Sequence, residues 1–202
     1  MLRYYLAYSS LLPMLAAVCI LAYVPYGVYV TRLHGRRSGL YHLAKCALGL
    51  CIASLLYLTI FFFYPNITFH PARHHLNLHP FIWVTECYDA GPAVMAAQLL
   101  LNIAMFLPLG FLLPIAAHKL RSPLSTAAVV LLTTVGIETL QYFIGRSADV
   151  DDVIMNFLGG ILGYGCYMLL NRYLSDTPWW TAMLAGDPLT PGVTRLHLHT
   201  AA

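Results

Sequence analysis

Residues 145–160 read GRSADVDDVIMNFLGG. One cation, Arg146, and three carboxylates, Asp149, Asp151 and Asp152, stand at the mouth of an apolar run that goes on to carry Asn156 and two glycines. A second apolar run, 124–144, leads into the same stretch. Elsewhere charge is scarce. The 202-residue chain is 59% hydrophobic and only 9% charged, whereas soluble domains carry charge on about a quarter of their residues. A water-facing surface cannot be assembled from that inventory. The quoted stretch therefore reads as a short connection between two membrane helices, and the fold class as all-α, a polytopic membrane helix bundle.

Each span needs about 20 mostly apolar residues. Five candidates meet that requirement: 6–30, 43–64, 93–117, 124–144 and 153–172. The first run exceeds the apolar core of a cleaved signal peptide, about 7–15 residues, and reads as a helix that is retained. The organisation expected is two N-terminal spans over 1–65, an extracytoplasmic loop over 66–92, a core of three spans over 93–175 and a cytoplasmic tail over 176–202. Arg32, Arg36, Arg37, Lys45, Lys119, Arg121, Arg172 and Arg195 fall on one side of this arrangement; Arg3, Arg73 and Arg146 fall on the other. Because cytoplasmic loops carry the Lys/Arg excess, the N-terminus is expected outside and the C-terminus inside, in a multi-pass protein of the cytoplasmic membrane. Phe61–Tyr64 and Trp179–Trp180 sit where an interfacial aromatic belt belongs. A net charge of +3 with no basic arm or face gives no sign of a nucleic-acid partner.

Polar side chains inside a membrane helix are costly, about 2.5–3.5 kcal/mol for a charge at the helix centre. Glu138 lies roughly 9 Å below the outer end of the fourth span, Asn156 roughly 6 Å into the fifth and Asn102 roughly 14 Å into the third, at 1.5 Å per residue. Gln141 shares the Glu138 face, and Asp152 shares that of Asn156. Three spans thus bring polar groups to the same outer half of the membrane, and Arg146, Asp149 and Asp152 cap that zone, so the quoted stretch reads as the lid of a polar cavity. Plainer roles remain open. The aspartates suit the positive end of a helix dipole, Asn102 and Gln141 suit ordinary interhelical hydrogen bonds, and Glu138 either pairs with Arg146 or carries a proton.

Other features are less telling. Gly159 and Gly163 form a GxxxG that fits close helix packing, inside the chain or in a dimer, and Pro108 and Pro114 are expected to kink the third span. His70, His74, His75 and His79 match no zinc spacing, the sequon Asn66-Ile67-Thr68 would face outward, and the acidic run 149–152 lacks the glycine and spacing of an EF-hand. Cys19, Cys46, Cys51, Cys87 and Cys166 form no CxxC and read as small buried apolar residues.

Three blocks resemble the VanZ-like family of bacterial membrane proteins: NLHPF at 77–81, NIAMFLPLGFLLP at 102–114 and ETLQYFIGRSADVDDVIMNFLGGILGY at 138–164. The last keeps every polar position of the family pattern. The resemblance implies that Asn102, Glu138, Gln141, Arg146, Asp149, Asp152 and Asn156 form the functional site. It also implies a link to low-level teicoplanin resistance and distant kinship with membrane enzymes that modify lipid head groups. Two readings follow. In the first, an enzyme acts on membrane lipids or lipid-linked envelope precursors, with Glu138, Arg146, Asp149 and Asp152 as catalytic groups. Arg146 would grip a phosphate, Asp149 and Asp152 would hold a divalent cation or orient Arg146, and Asn102, Gln141 and Asn156 would place the substrate. In the second, the same cavity binds a lipid or drug without chemistry, or the protein serves as a scaffold that escorts a partner. A transporter is less well supported, because no internal repeat is visible.

Overall fold

The computed structural model describes residues 17–32, 38–61, 76–82 and 91–184. It is an all-α bundle: α1 (Ala17–Arg32), α2 (Gly39–Leu56), α3 (Pro92–Ala116), α4 (Pro123–Phe143), α5 (Val150–Leu174) and the short α6 (Pro178–Leu184). Four stretches are long and apolar enough to cross a membrane, Gly39–Ile60, Met95–Ala116, Pro123–Phe143 and Val150–Leu174, and α1 is a shorter apolar helix. The expected 6–16 portion of the first span, Phe62–Tyr64, Asn66–Thr68, His70, His74, His75 and Cys87 lie outside the described residues.

Local chemistry sets the helix ends. Ser38 and Ser122 cap α2 and α4 with their side-chain oxygens, and Pro92 and Pro123 open α3 and α4 where a missing N–H costs nothing. Helix α5 begins three residues earlier than hydropathy alone suggests. Asp149 is its N-cap, accepting from the Asp151 N–H at 2.9 Å, so Asp151 and Asp152 belong to the first turn instead of preceding it. Helix α4 ends on Gly145 at φ 85°, with the Gly145 and Arg146 N–H groups donating back to the Tyr142 and Gln141 carbonyls. That left-handed ending satisfies two orphan carbonyls and folds Arg146 over the helix terminus.

Lipid tails are as apolar as leucine, so the hydrophobic effect does not press these helices together; close van der Waals contact has to. The glycines supply it. A Cβ on Gly159 would lie 2.3 Å from the Ile103 carbonyl oxygen, and one on Gly163 2.0 Å from that of Leu107. Both contacts advance in the same chain direction, so α3 and α5 run parallel with their backbones touching. The GxxxG is therefore spent within the chain. Gly160 faces the other way, against Val130 of α4. Between these helices Phe106, Leu109, Leu113, Val130 and Ile137 are buried together with Leu55 of α2. Helix α3 continues through Pro108 and Pro114. Leu124, Leu132, Leu100 and Leu101 face outward, as lipid-facing residues do.

Three expectations change. Trp180 is 2% exposed and packs with Tyr164, Tyr167 and Ile115, so it anchors α6 to the bundle instead of lying in a belt; Trp179 is exposed. Cys166 is exposed on α5, although it continues the helical stripe of Gly159 and Gly163. A strand pair absent from the helical reading also occurs: β1 (Leu76–Asn77) runs parallel to β2 (Ala148–Asp149). Two residues carry too little pattern to announce a strand.

Candidate functional site

The polar residues of α3, α4 and α5 gather at the end of the bundle where β1 and β2 pair, here termed the acidic end. Asn102 reaches back along α3 and donates from Nδ2 to Asp152 Oδ1 at 2.5 Å. Side chains on a helix lean toward its N-terminus, which is why a residue ten positions into α3 meets the first turn of α5. Glu138, 6% exposed, accepts the Asp149 N–H on Oε2 at 3.1 Å. It is in electrostatic range of Arg146, Asp149 and Asp152, as Asp152 is of Arg146. Asp149 Oδ1 takes the Asn77 Nδ2 donor at 3.1 Å besides capping α5.

A third group involves α2. Its last turn widens to a π-helix over Tyr57–Phe61, and the Thr59 carbonyl there accepts from both Gln141 Nε2 and Arg146 Nη1, each at 3.0 Å. The Thr59 hydroxyl turns back to the Leu55 carbonyl. Widened turns free carbonyls from the i to i−4 ladder and recur at functional positions. Asn156 lies deeper, with Nδ2 on Thr134 Oγ1 at 3.2 Å.

So Asn102 is joined to Asp152, Glu138 to Asp149, and Gln141 and Arg146 to one carbonyl, while Asn156 sits apart on α5 with Thr134. Sequence reading missed Thr59, Thr134, Asn77 and the role of Asp151. Asp151 is 4% exposed and holds the Phe81 N–H at 2.7 Å, which fixes Phe81 at φ 66°. A bulky residue at positive φ is strained by about 1–3 kcal/mol and is held by its surroundings. The NLHPF block was the available signal for Asn77. Nothing in the letters marks a backbone carbonyl such as that of Thr59.

Among the described residues, three buried side-chain oxygens have no hydrogen-bond partner: Gln141 Oε1, Asp151 Oδ2 and Asn156 Oδ1. Each buried orphan costs about 1–3 kcal/mol, and all three belong to this end. Also among the described residues, no three His, Cys, Asp or Glu side chains converge as a metal cage. Asp149 and Asp152 alone fit the sparser pattern of magnesium-type sites, one or two carboxylates completed by substrate phosphates.

Glu138 also lines a groove of about 280 Å³ with Leu76, Val135, Thr139, Tyr142, Phe143 and Ala148. Leu76, Val135 and Phe143 are exposed, so the groove opens sideways from the bundle.

Residues 48–171 match the VanZ/LLP1 family, a span that includes every polar residue just described. The chain belongs to the VanZ/LLP1 family. Protein VanZ of Enterococcus faecium is 29% identical over 137 residues, covering 66% of this chain and 79% of that protein. No solved structure matches. The family match leaves out α1 and the start of α2, and α6 lies beyond it too. The VanZ/LLP1 part is thus the three-helix core with the second half of α2 and the loop that pairs with it.

Proposed function

We propose that the acidic end acts on a phosphate-linked lipid head group, such as a lipid-linked envelope precursor, in the outer half of the cytoplasmic membrane, with the N-terminus outside and the C-terminus inside. The observation that carries this reading is the placement of Glu138. It is a buried carboxylate in the wall of an apolar groove that opens toward lipid. A lipid keeps its chain along Leu76, Val135 and Phe143 while its head group meets Glu138, Arg146 and the aspartates. No transfer of the whole molecule into water is needed.

In this reading Arg146 binds the phosphate. A guanidinium has five N–H donors in a planar fork, and Thr59 holds one of its nitrogens in place. Glu138 takes the proton of the attacking hydroxyl, the hydroxyl oxygen bonds to phosphorus, the bond from phosphorus to the departing oxygen breaks, and the proton passes from Glu138 to that oxygen. The Asp149 N–H, donating to Glu138 Oε2, keeps the carboxyl group oriented. Asn102, Gln141 and Asn156 place the head group; the unpartnered Gln141 Oε1 and Asn156 Oδ1 suit hydroxyl or ammonium donors. Asp149 and Asp152 are the residues that would hold a divalent cation, which would neutralise phosphate charge. Kinship with Protein VanZ extends the proposal to resistance against teicoplanin-type drugs, which act at the outer membrane surface.

Purified full-length protein given labelled envelope lipids and magnesium tests this. A changed head group, lost in Glu138→Gln and in Arg146→Ala, is the expected result. Saturable binding of unchanged lipid, retained in Glu138→Gln, would replace the enzyme by a non-catalytic lipid or drug binder.

A further inference from the structure

We infer that a second lipid site lies at the opposite end of the bundle, between α1 and the start of α2, and that it holds the phosphate head group of an anionic phospholipid. A groove of about 520 Å³ there is lined by Tyr23, Val24, Gly27, Val28, Thr31, Arg32 and His42. Its position at the far end is fixed by Ser38, whose Oγ donates to the Ala182 carbonyl of α6 at 2.7 Å. Every residue that lines this groove lies outside the residues shared with the family.

The groove is divided by polarity along its length. Val24 and Val28 are exposed and make a hydrocarbon wall. One turn beyond Val28 come Thr31 and Arg32, while His42, from α2, meets Tyr23 and stands over Gly27. The Thr31 hydroxyl is committed to the Gly27 carbonyl at 2.8 Å. Tyr23 Oη lies 2.8 Å from His42 Nδ1. In either tautomer that pair uses one polar hydrogen between its members and keeps one to give. The groove therefore offers a guanidinium and a neutral donor, a set suited to a phosphate anion and not to a cation. A glycine at 27 keeps the floor low: a Cβ there would rest on the Tyr23 ring and His42 Nδ1 at 3.5 and 3.8 Å.

Electrostatics at this end favours the same ligand. Among the described residues Arg32, Lys45, Lys119, Arg121 and Arg172 are found here, against Asp176. Two of these cations have other duties. Lys45 lies 5.3 Å over the Tyr41 ring, and Arg121 donates to the Pro114 and Leu184 carbonyls. Arg32 is the one that lines the groove. Basic pockets between membrane helices on the side facing anionic lipid are recurrent head-group sites. The apolar wall beside the charge favours a lipid over free phosphate, because a soluble anion gains nothing from Val24 and Val28.

Native mass spectrometry on full-length protein from nanodiscs of equal phosphatidylglycerol and phosphatidylcholine reads the retained lipid. Wild type is expected to keep phosphatidylglycerol about fivefold over phosphatidylcholine, the worth of one basic residue at a membrane surface. Arg32→Gln should bring the ratio near parity, and Val28→Trp, which fills the groove from an exposed position, should reduce retention of both lipids. Arg172→Gln, at an exposed residue of the same end, should leave the ratio unchanged. The inference is overturned if Arg32→Gln keeps the preference, if Arg172→Gln loses as much, or if Val28→Trp leaves retention intact. Thermal unfolding of each variant, read alongside, separates lost binding from lost fold.

Discussion

Two polar clusters, one at each end of the bundle, complete their hydrogen bonds to different degrees. At the tryptophan end, polar groups close on carbonyls and on one another. Arg121 caps the termini of α3 and α6, the Tyr164 hydroxyl donates to the Arg121 carbonyl at 2.7 Å, and Trp180 Nε1 donates to Asn171 Oδ1 at 2.9 Å. Among the described residues that end has no buried side-chain oxygen or nitrogen without a partner, whereas the acidic end has three. A polar cluster whose only task is to hold helices completes its hydrogen bonds, since each omission costs about 1–3 kcal/mol. A cluster that meets a ligand keeps some in reserve. The contrast sets the helix fastening around Trp180 apart from the cluster proposed to meet a head group.

That contrast can be broken by substitution. Glu138→Gln is expected to lower turnover by about 10²–10⁴ while leaving the fold intact, the range for losing a general acid–base group; head-group conversion beside a thermal melt checks it, and a melt that falls with activity would erase the distinction. Trp180→Ala should do the reverse. It empties a fully buried aromatic site at a cost of about 3–5 kcal/mol, seen as a lower unfolding temperature in detergent, with turnover per folded molecule unchanged. Next comes Asn102→Ala, which leaves Asp152 without its donor and should cost about 1.5–3 kcal/mol of hydrogen-bond energy to a charged group; chemical denaturation of this variant against Asn102→Asp, which adds repulsion, sharpens the measurement. Gly163→Ala forces the α3 and α5 backbones apart for about 1–3 kcal/mol, while Gly165→Ala, with nothing within 4 Å of the added carbon, should stay within about 0.5 kcal/mol of wild type. Equal melting of the two alanine variants would contradict the seam. Ser122→Ala at the α4 N-cap should cost about 1 kcal/mol, with no effect on turnover.

Much of the fold was legible because the bilayer imposes it. Apolar length announces spans, so α3 to α5 appear in the letters within a few residues of their ends, while the second span, expected over 43–64, leaves the α-helical form after Leu56. The residues Asn102, Glu138, Gln141, Arg146, Asp149, Asp152 and Asn156 stood out because polar groups in lipid are expensive, and most of them meet in the structure. What stayed hidden is of three kinds. Thr59 contributes a main-chain oxygen, and every residue has one; only the π-turn makes this one available. Trp180 looked interfacial because amphipathic rings at helix ends usually are, yet α6 folds back and buries it. Asp151 read as a dipole partner for α5, since the loop amide of Phe81 that it holds is 70 residues away in the chain. Spacing along one helix is visible in a sequence; a partner on a distant loop is not.

The glycine seam bears on how the molecule is assembled. Ribosomes deliver α3 before α5, and the surface of α3 around Ile103 and Leu107 stays bare in the bilayer until the later segment arrives. A chain halted after α4 would present that bare ridge to any small-faced helix nearby. Quality-control proteases and insertion chaperones would meet this species first, and lesions at Gly159 or Gly163 would prolong its life.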